Sequence, residues 1–280
     1  MPADMDALTA ATLKHLRERW WNDEFTEFLA ETLRPRAGNR ILDVGCGAGT
    51  GEISIGRRHI TQLQLVGIDL VPDKARAARQ ATAGHNMRAR FAAGDACRLP
   101  FKDAAFDSTY CVAVLQHVGD VDAAVREFAR VTVAGGRVVA VEPDNGARYF
   151  YSSTPWGRRA SQVAAEFFAG VAAERGDTTD PSIGPKLPAI FARHGIEPID
   201  VRPFPVSQIQ LGALPEEVWA DRRARVERAV AQSAVGHVQA LGREYLVVLD
   251  AYQSEAKQTG ASFIEIQNTM LFATVGQRSE

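Results

Sequence analysis

Three glycines at alternate positions, Gly45, Gly47 and Gly49, follow an apolar run containing Asp43 in the stretch ILDVGCGAGTGEI. Glycine serves where a backbone must turn tightly, take a positive φ or come close to a ligand. A helix starting after such a turn offers unpaired N–H groups and the positive end of its dipole to an anion. The turn is therefore predicted to hold an anionic group against its backbone. Counted from Gly45, the dinucleotide pattern GxGxxG would put its last glycine at position 50, where the chain has Thr50. That disfavours a nicotinamide cofactor and leaves it as an alternative. A second apolar run, VGIDL, brings Asp69 to its end. A carboxylate there can accept both hydroxyls of a ribose, which any nucleoside ligand would require.

Other side chains with chemical capacity lie farther along. His117, in LQHV, is placed just beyond a strand, where an imidazole can take a proton from a hydroxyl or ammonium near neutral pH. Its plainer role is packing or hydrogen bonding at the start of the next helix. Glu142 ends a later strand and can face a substrate or act as a cap. Trp20, Trp21, Tyr149 and Trp156 are candidates for an aromatic roof, which suits a flat apolar molecule or a cation held by cation–π attraction. No Ser/His/Asp arrangement stands out. The six histidines lack ligand spacing, so no metal is expected.

These residues need a frame, and the apolar pattern supplies one. From Arg40 to Glu142, short apolar runs (RILDVG, LQLVGIDL, RARFAAGD, FDSTYCVAV, GGRVVAVE) alternate with helix-like stretches starting near Gly51, Pro72 and Asp120. Such alternation predicts βαβ units and a parallel sheet covered on both faces. Right-handed crossovers then gather the carboxyl ends of the strands on one edge, where ligands bind. The first 35 residues are expected to be helical, with Leu13, Leu16 and Trp20 on one face and Phe25, Phe28, Leu29 and Leu33 continuing until Pro35. After Glu142 the pattern changes. A helix is expected around 158–175, a shorter one over PKLPAIFARHG, and two late strands in EPIDVRPFPV and SFIEIQNTMLFATV, separated by a helical insertion near 215–258.

In order and spacing, the motifs resemble the class I S-adenosylmethionine-dependent methyltransferases, most nearly the small-molecule enzymes like those of quinone biosynthesis. The resemblance rests on Asp43-x-Gly45-x-Gly47-x-Gly49, on VGIDL, on AAGDACRLPF, on FDSTYCVAVLQHV and on EFARVTVAGGRVVAVEPD, and covers about residues 38–145. It implies a Rossmann-like, doubly wound α/β fold. The sheet would be mostly parallel and seven-stranded, with helices on both faces, an antiparallel edge strand and helical lid insertions. It also implies a cofactor, S-adenosylmethionine, lying on Asp43, Gly45, Cys46, Gly47, Gly49, Asp69 and Leu70, with Asp95 and Ala96 at the adenine and Cys111 bordering it. The expected organisation is one domain: a helical cap over 1–37, a cofactor-binding core over 38–145, and substrate-covering insertions over 146–185 and 212–260. The implied reaction is methyl transfer by in-line displacement to an O, N or C atom of a small organic metabolite. Such a reaction needs the acceptor held about 3 Å from the methyl, with water excluded, more than it needs a catalytic triad. A cofactor-binding protein without catalytic activity is the alternative. Asp144-Asn145 is similar to the metal-binding pair of catechol-type methyltransferases, but FDSTYCVAV lacks the acid those enzymes carry, so magnesium is not expected.

Composition narrows the partners. A net charge of −2 across 32 basic and 34 acidic residues gives no footprint for nucleic acid or an anionic membrane. The Arg-rich run ADRRARVERAV is interleaved with acids and reads as a solvated helix face. No stretch reaches the roughly 20 apolar residues of a membrane span, and the start of the chain lacks a signal-peptide pattern. Cys46, Cys97 and Cys111 are odd in number and lack CxxC spacing, consistent with reduced thiols in the cytoplasm. The expected partner is a small-molecule methyl acceptor, with a homodimer left open.

Overall fold

The computed structural model describes residues 20–58, 63–85, 87–174, 176 and 179–280. The expected helix through Leu13 and Leu16 lies outside the described residues. Helix α1 (Asp23–Leu33) begins where the Asn22 side chain accepts the Phe25 N–H at 2.9 Å, and buries Phe25, Phe28, Leu29 and Leu33. It ends at Arg34, whose φ of 47° leaves the helical region just before Pro35.

The alternating pattern then unfolds as expected: β1 (Arg40–Val44), α2 (Thr50–Arg58), β2 (Gln64–Asp69), α3 (Pro72–Thr82), β3 (Arg88–Ala93), β4 (Phe106–Val112), α4 (Val121–Val131) and β5 (Thr132–Ser152). Pro72 starts α3 at a position where its missing N–H costs nothing, and the Asp120 carboxylate caps α4 at Ala123 N–H. After β5 come α5 (Pro155–Glu174), α6 (Leu187–Arg193), β6 (Ile196–Leu211), α7 (Glu216–Gln232), α8 (Gly236–Thr259) and β7 (Ile264–Arg278).

The seven strands form one sheet in the order β3-β2-β1-β4-β5-β7-β6. The pairs β1–β2, β2–β3, β1–β4 and β4–β5 are parallel. The last two strands run the other way. Ser153 N–H donates to Ile264 O while Arg278 reaches Thr132 O, so β7 lies antiparallel to β5. Gly212 N–H to Phe263 O, and Ser279 N–H to Gly195 O, make β6 antiparallel to β7. The fold is thus Rossmann-like with antiparallel strands at one edge. In the order of the sheet, the direction of chain progression reverses between β1 and β4, which is where open α/β sheets place ligands.

Among the described residues two compact units emerge, the first within 20–147, 179–205 and 270–280 and the second within 148–176 and 206–269. The first is the sheet unit. Its core includes Leu42, Val44, Ile68, Cys111, Leu115, Val125, Phe128, Val138 and Ala140, all nearly or fully buried. The second is mainly helical, packing Val163 and Phe167 of α5, Trp219 and Val226 of α7, and Val248 and Tyr252 of α8. Three expectations shift. The GGRVVAVE strand extends through Ser152, into a stretch read as insertion. The helical insertion near 215–258 is two helices, α7 and α8. The late strands are longer than their apolar cores.

Candidate active site

The glycine turn sits between β1 and α2, and its backbone justifies the glycines. Gly45, Gly47 and Gly49 have φ of 76°, 54° and 82°, where a side chain would be strained. Gly45 and Cys46 N–H both donate to Ile68 O of β2, at 2.7 and 3.0 Å. Asp69 then pins the turn from the end of β2. One carboxylate oxygen accepts Gly47 N–H at 3.0 Å and the other accepts Val71 N–H at 2.9 Å. Each oxygen keeps a second lone pair for a ligand. Leu70, next in the chain, is 71% exposed.

Asp95 follows β3 and is exposed; its carboxylate accepts Cys97 N–H at 2.9 Å in a tight local turn. Ala96 packs at the margin of the core. The segment after it is held by Arg130 of α4, whose guanidinium donates to Leu99 O, Phe101 O and Asp103 Oδ1 while paired with Glu127. Cys97 donates its Sγ–H to Asp120 O at 3.4 Å.

Beyond β4, Ala113 takes a φ of 56° and a single 3-10 turn, Leu115–His117, follows. His117 is half-buried on that turn. The turn is anchored by Glu142 of β5. Glu142 Oε1 accepts Val114 and Leu115 N–H, both at 2.7 Å, and Oε2 accepts Gln116 N–H at 3.3 Å. Burial pushes the Glu142 carboxyl up to about 7, against the pull of those three N–H groups. Glu142 was expected to face a substrate. Instead it is fully buried and accepts three N–H groups of the turn after β4, so its work is to shape that turn. Cys111 was expected to border the cofactor. It is also fully buried, with its thiol turned toward Glu142 at 3.7 Å and held protonated by burial.

Asp144 and Asn145 have structural partners as well. Asp144 accepts Gly146 N–H, and Asn145 donates to Gln116 Oε1 at 3.1 Å. Trp21 packs edge-on against Phe25 and stands close to Gly51, at the start of α2. Trp20 is half-buried. Tyr149 and Trp156 belong to the helical unit and are 56% and 43% exposed.

Two participants, Tyr110 and Glu52, escaped the sequence reading. Asp43, which was expected at the turn, is buried, and its Oδ2 accepts the Tyr110 hydroxyl at 2.8 Å. Glu52, in the first turn of α2, is 1% exposed and lies beside it; neither Glu52 oxygen meets a donor among the described residues. The signal was present: Glu52 shares a helix face with the fully buried Ile55, three residues on. Burial pushes Asp43 up to about 7 and Glu52 well above the carboxylate range, while Cys46 stays a thiol for the same reason.

A fit to S-adenosylmethionine follows from these observations. The turn accommodates close approach to its backbone, Asp69 presents free lone pairs at the β2 end, and the surrounding acids carry no basic counterpart in the cluster, as suits a ligand of net positive charge. Comparison with known proteins agrees. The profile of the methyltransferase domain family matches residues 42–140. The chain is 36% identical over 123 residues to a demethylmenaquinone methyltransferase of Deinococcus radiodurans, covering 44% of this chain and 48% of that protein. It is 33% identical over 137 residues to a 27-O-demethylrifamycin SV methyltransferase of Amycolatopsis mediterranei, covering 45% and 50%. The chain thus matches about half the length of these curated relatives. In fold it resembles the YcgJ protein of Bacillus subtilis (TM-score 0.55, 20% identity, 92% of this chain and 100% of that one). It also resembles a geranyl diphosphate methyltransferase solved with its cofactor (0.50, 17%, 90% and 84%). Residues 42–140, from β1 into β5, thus match a methyltransferase domain in sequence, set in a fold similar to that of solved methyltransferases.

Proposed function

We propose that this chain transfers a methyl group from S-adenosylmethionine to an oxygen, nitrogen or carbon atom of a small organic molecule. The observation that carries the proposal is the glycine turn, with three positive φ values, clasped by the Asp69 carboxylate at Gly47 N–H. S-adenosylmethionine, when bound, supplies a methyl group already activated on a positively charged sulfur. The protein's own contribution is binding, orientation and exclusion of water. Gly45, Gly47, Gly49 and Leu70 would line the methionine and ribose ends, Asp69 would accept the ribose hydroxyls, and Asp95 with Ala96 would meet the adenine. Asp43 and Cys46 support the turn from behind. His117, on the turn shaped by Glu142, is the candidate to accept a proton from the methyl acceptor.

Acceptor choice is assigned to parts outside the matched domain: Trp20 and Trp21 before it, and Tyr149 and Trp156 in the insertions 146–185 and 212–260, read with the core as one functional domain. Two relatives are named for a demethylmenaquinone and a rifamycin substrate. This supports a quinone, phenol or polyketide-like acceptor, with no metal required because the donor is already activated. We place the enzyme in the cytoplasm, acting without nucleic acid or membrane partners. Among the described residues no helix is long and apolar enough to cross a membrane. Nothing in the matched domain favours the oxidoreductase alternative.

Calorimetric titration with S-adenosylhomocysteine, and in parallel with NADH, tests the reading. Micromolar binding of the first and none of the second is expected. The reverse would overturn it. Methyl transfer from labelled cofactor to a panel of hydroquinones and phenols then separates an enzyme from a cofactor-binding protein without activity.

A further inference from the structure

Behind the glycine turn lies a buried acid pair with no basic partner among the described residues. Asp43 comes from the end of β1 and Glu52 from the first turn of α2. Two glycines make room for them. A Cβ at Gly51 would collide with the Tyr110 hydroxyl and reach Asp43 Oδ2 at 2.8 Å; one at Gly67 of β2 would collide with Glu52 Oε1 and reach the Phe91 ring at 2.6 Å. The groups acting on the pair are Tyr110 from β4, Asp69 from β2 and Cys46 from the turn; none is basic. Tyr110 gives its one proton to Asp43. Glu52, with both oxygens buried, has no donor left among the described residues. Two ionised carboxylates side by side in the interior, without a cation, repel each other and lose their hydration. A proton carried by the pair itself removes both difficulties, because one carboxyl then donates to the other.

We propose that Asp43 and Glu52 share one proton in the ligand-free protein and give it up to solvent when the cationic cofactor settles on the glycine turn, so that cofactor binding is linked to proton release through Glu52. The inference rests on the proposed function, since it takes the turn's ligand to be S-adenosylmethionine. The positive charge brought to the turn replaces the proton as the partner of the pair. Acidification therefore competes with the cofactor, and one linked proton changes affinity by up to tenfold per pH unit.

The test is calorimetry of S-adenosylmethionine binding at pH 7 in phosphate and in Tris, whose ionisation heats differ, with wild type and Glu52→Gln. The difference in apparent enthalpy counts protons, and subtracting the variant removes the ligand's own titration. Wild type is expected to release roughly half to one proton more per molecule bound than Glu52→Gln. Its affinity should weaken below pH 7 while the variant's does not. Equal proton counts in both proteins would overturn the inference and leave the proposed function standing. No binding of the cofactor by wild type would overturn both. Infrared spectra cover the case of a Glu52→Gln variant that does not fold. In bound-minus-free difference spectra at pH 7, a loss of buried carboxylic-acid carbonyl intensity is expected on adding cofactor, and the same loss is expected in Glu142→Gln, whose own buried acid is gone. No loss of carbonyl intensity, or a loss that vanishes in Glu142→Gln, refutes the shared proton.

Discussion

Removing the Glu142 carboxyl should loosen the turn after β4 by an amount the structure lets one work out. In Glu142→Ala, the N–H groups of Val114, Leu115 and Gln116 lose their acceptor together. One orphaned buried donor costs about 1–3 kcal/mol. Three around one vacated space, partly recovered by entering water, should cost on the order of 4 kcal/mol. At roughly 2–4 °C per kcal/mol, the melting temperature should fall by about 8–16 °C. Glu142→Gln keeps the oxygen that takes the two short bonds and sets an amide N–H against Gln116 N–H, so its loss should be smaller. The variants also separate by pH. With its value raised by burial to about 7 from an ordinary 4.5, Glu142 holds its proton in the folded chain after losing it in the unfolded one. Its favourable contribution is complete below pH 4.5 and is lost as pH rises through 7. Between pH 5 and 8 this removes on the order of 2–3 kcal/mol from wild type and nothing from Glu142→Gln. Other buried acids cancel in the comparison. Denaturant melts at pH 5, 6.5 and 8 measure both effects. A Glu142→Ala protein melting within about 2 °C of wild type, or a wild-type-to-Gln gap independent of pH, would refute the reasoning.

Asp69→Ala should raise the Kd for S-adenosylhomocysteine roughly 150-fold or more, the worth of two charge-assisted hydrogen bonds at about 1.5–3 kcal/mol each; an unchanged Kd in calorimetry would show that Asp69 serves the turn alone. His117→Ala should lower kcat with little change in cofactor affinity, and full activity over roughly pH 6–9 would leave His117 a structural role. In the helical unit, Arg222 is paired twice with Glu265, which is 2% exposed and also accepts the Tyr252 hydroxyl at 2.6 Å. Glu265→Ala should cost about 3–5 kcal/mol by leaving the guanidinium uncompensated, read as a shifted urea midpoint; a shift equivalent to under 1 kcal/mol would contradict that.

The sheet was readable in the sequence because each of its parallel strands is an apolar run bounded by a turn, and the glycine turn because positive φ selects its residues. That Asp69 reaches the turn was readable for a similar reason, since it ends β2 on the edge where ligands collect, whereas Asp95 lies two residues past the end of β3. Glu142 was misread. Position at a strand end says that a side chain reaches that edge, but not whether its acceptors are taken by the neighbouring turn. Cys111 failed likewise, since strand alternation does not tell which face is roofed. Glu52 was overlooked, despite sharing a helix face with Ile55, because an acid in the first turn of a helix normally serves the dipole in solvent. Only the space left by Gly51 and Gly67 turns it inward. The extension of β5 past Glu142 was hidden because DNGARYFYS lacks the apolar run by which a central strand is recognised.

Gly45 has no room for a side chain because Val114 already occupies that space, and Val114 N–H is held by Glu142. The ends of β1, β4 and β5 are therefore clasped like three fingers of one hand. A change at any of them should be felt at the other two, so double variants such as Gly45→Ala with Glu142→Gln would show energies that fail to add. Such a clasp also limits how this edge can diversify. New acceptors can be accommodated only by residues outside the clasp, because those within it have to change together or not at all.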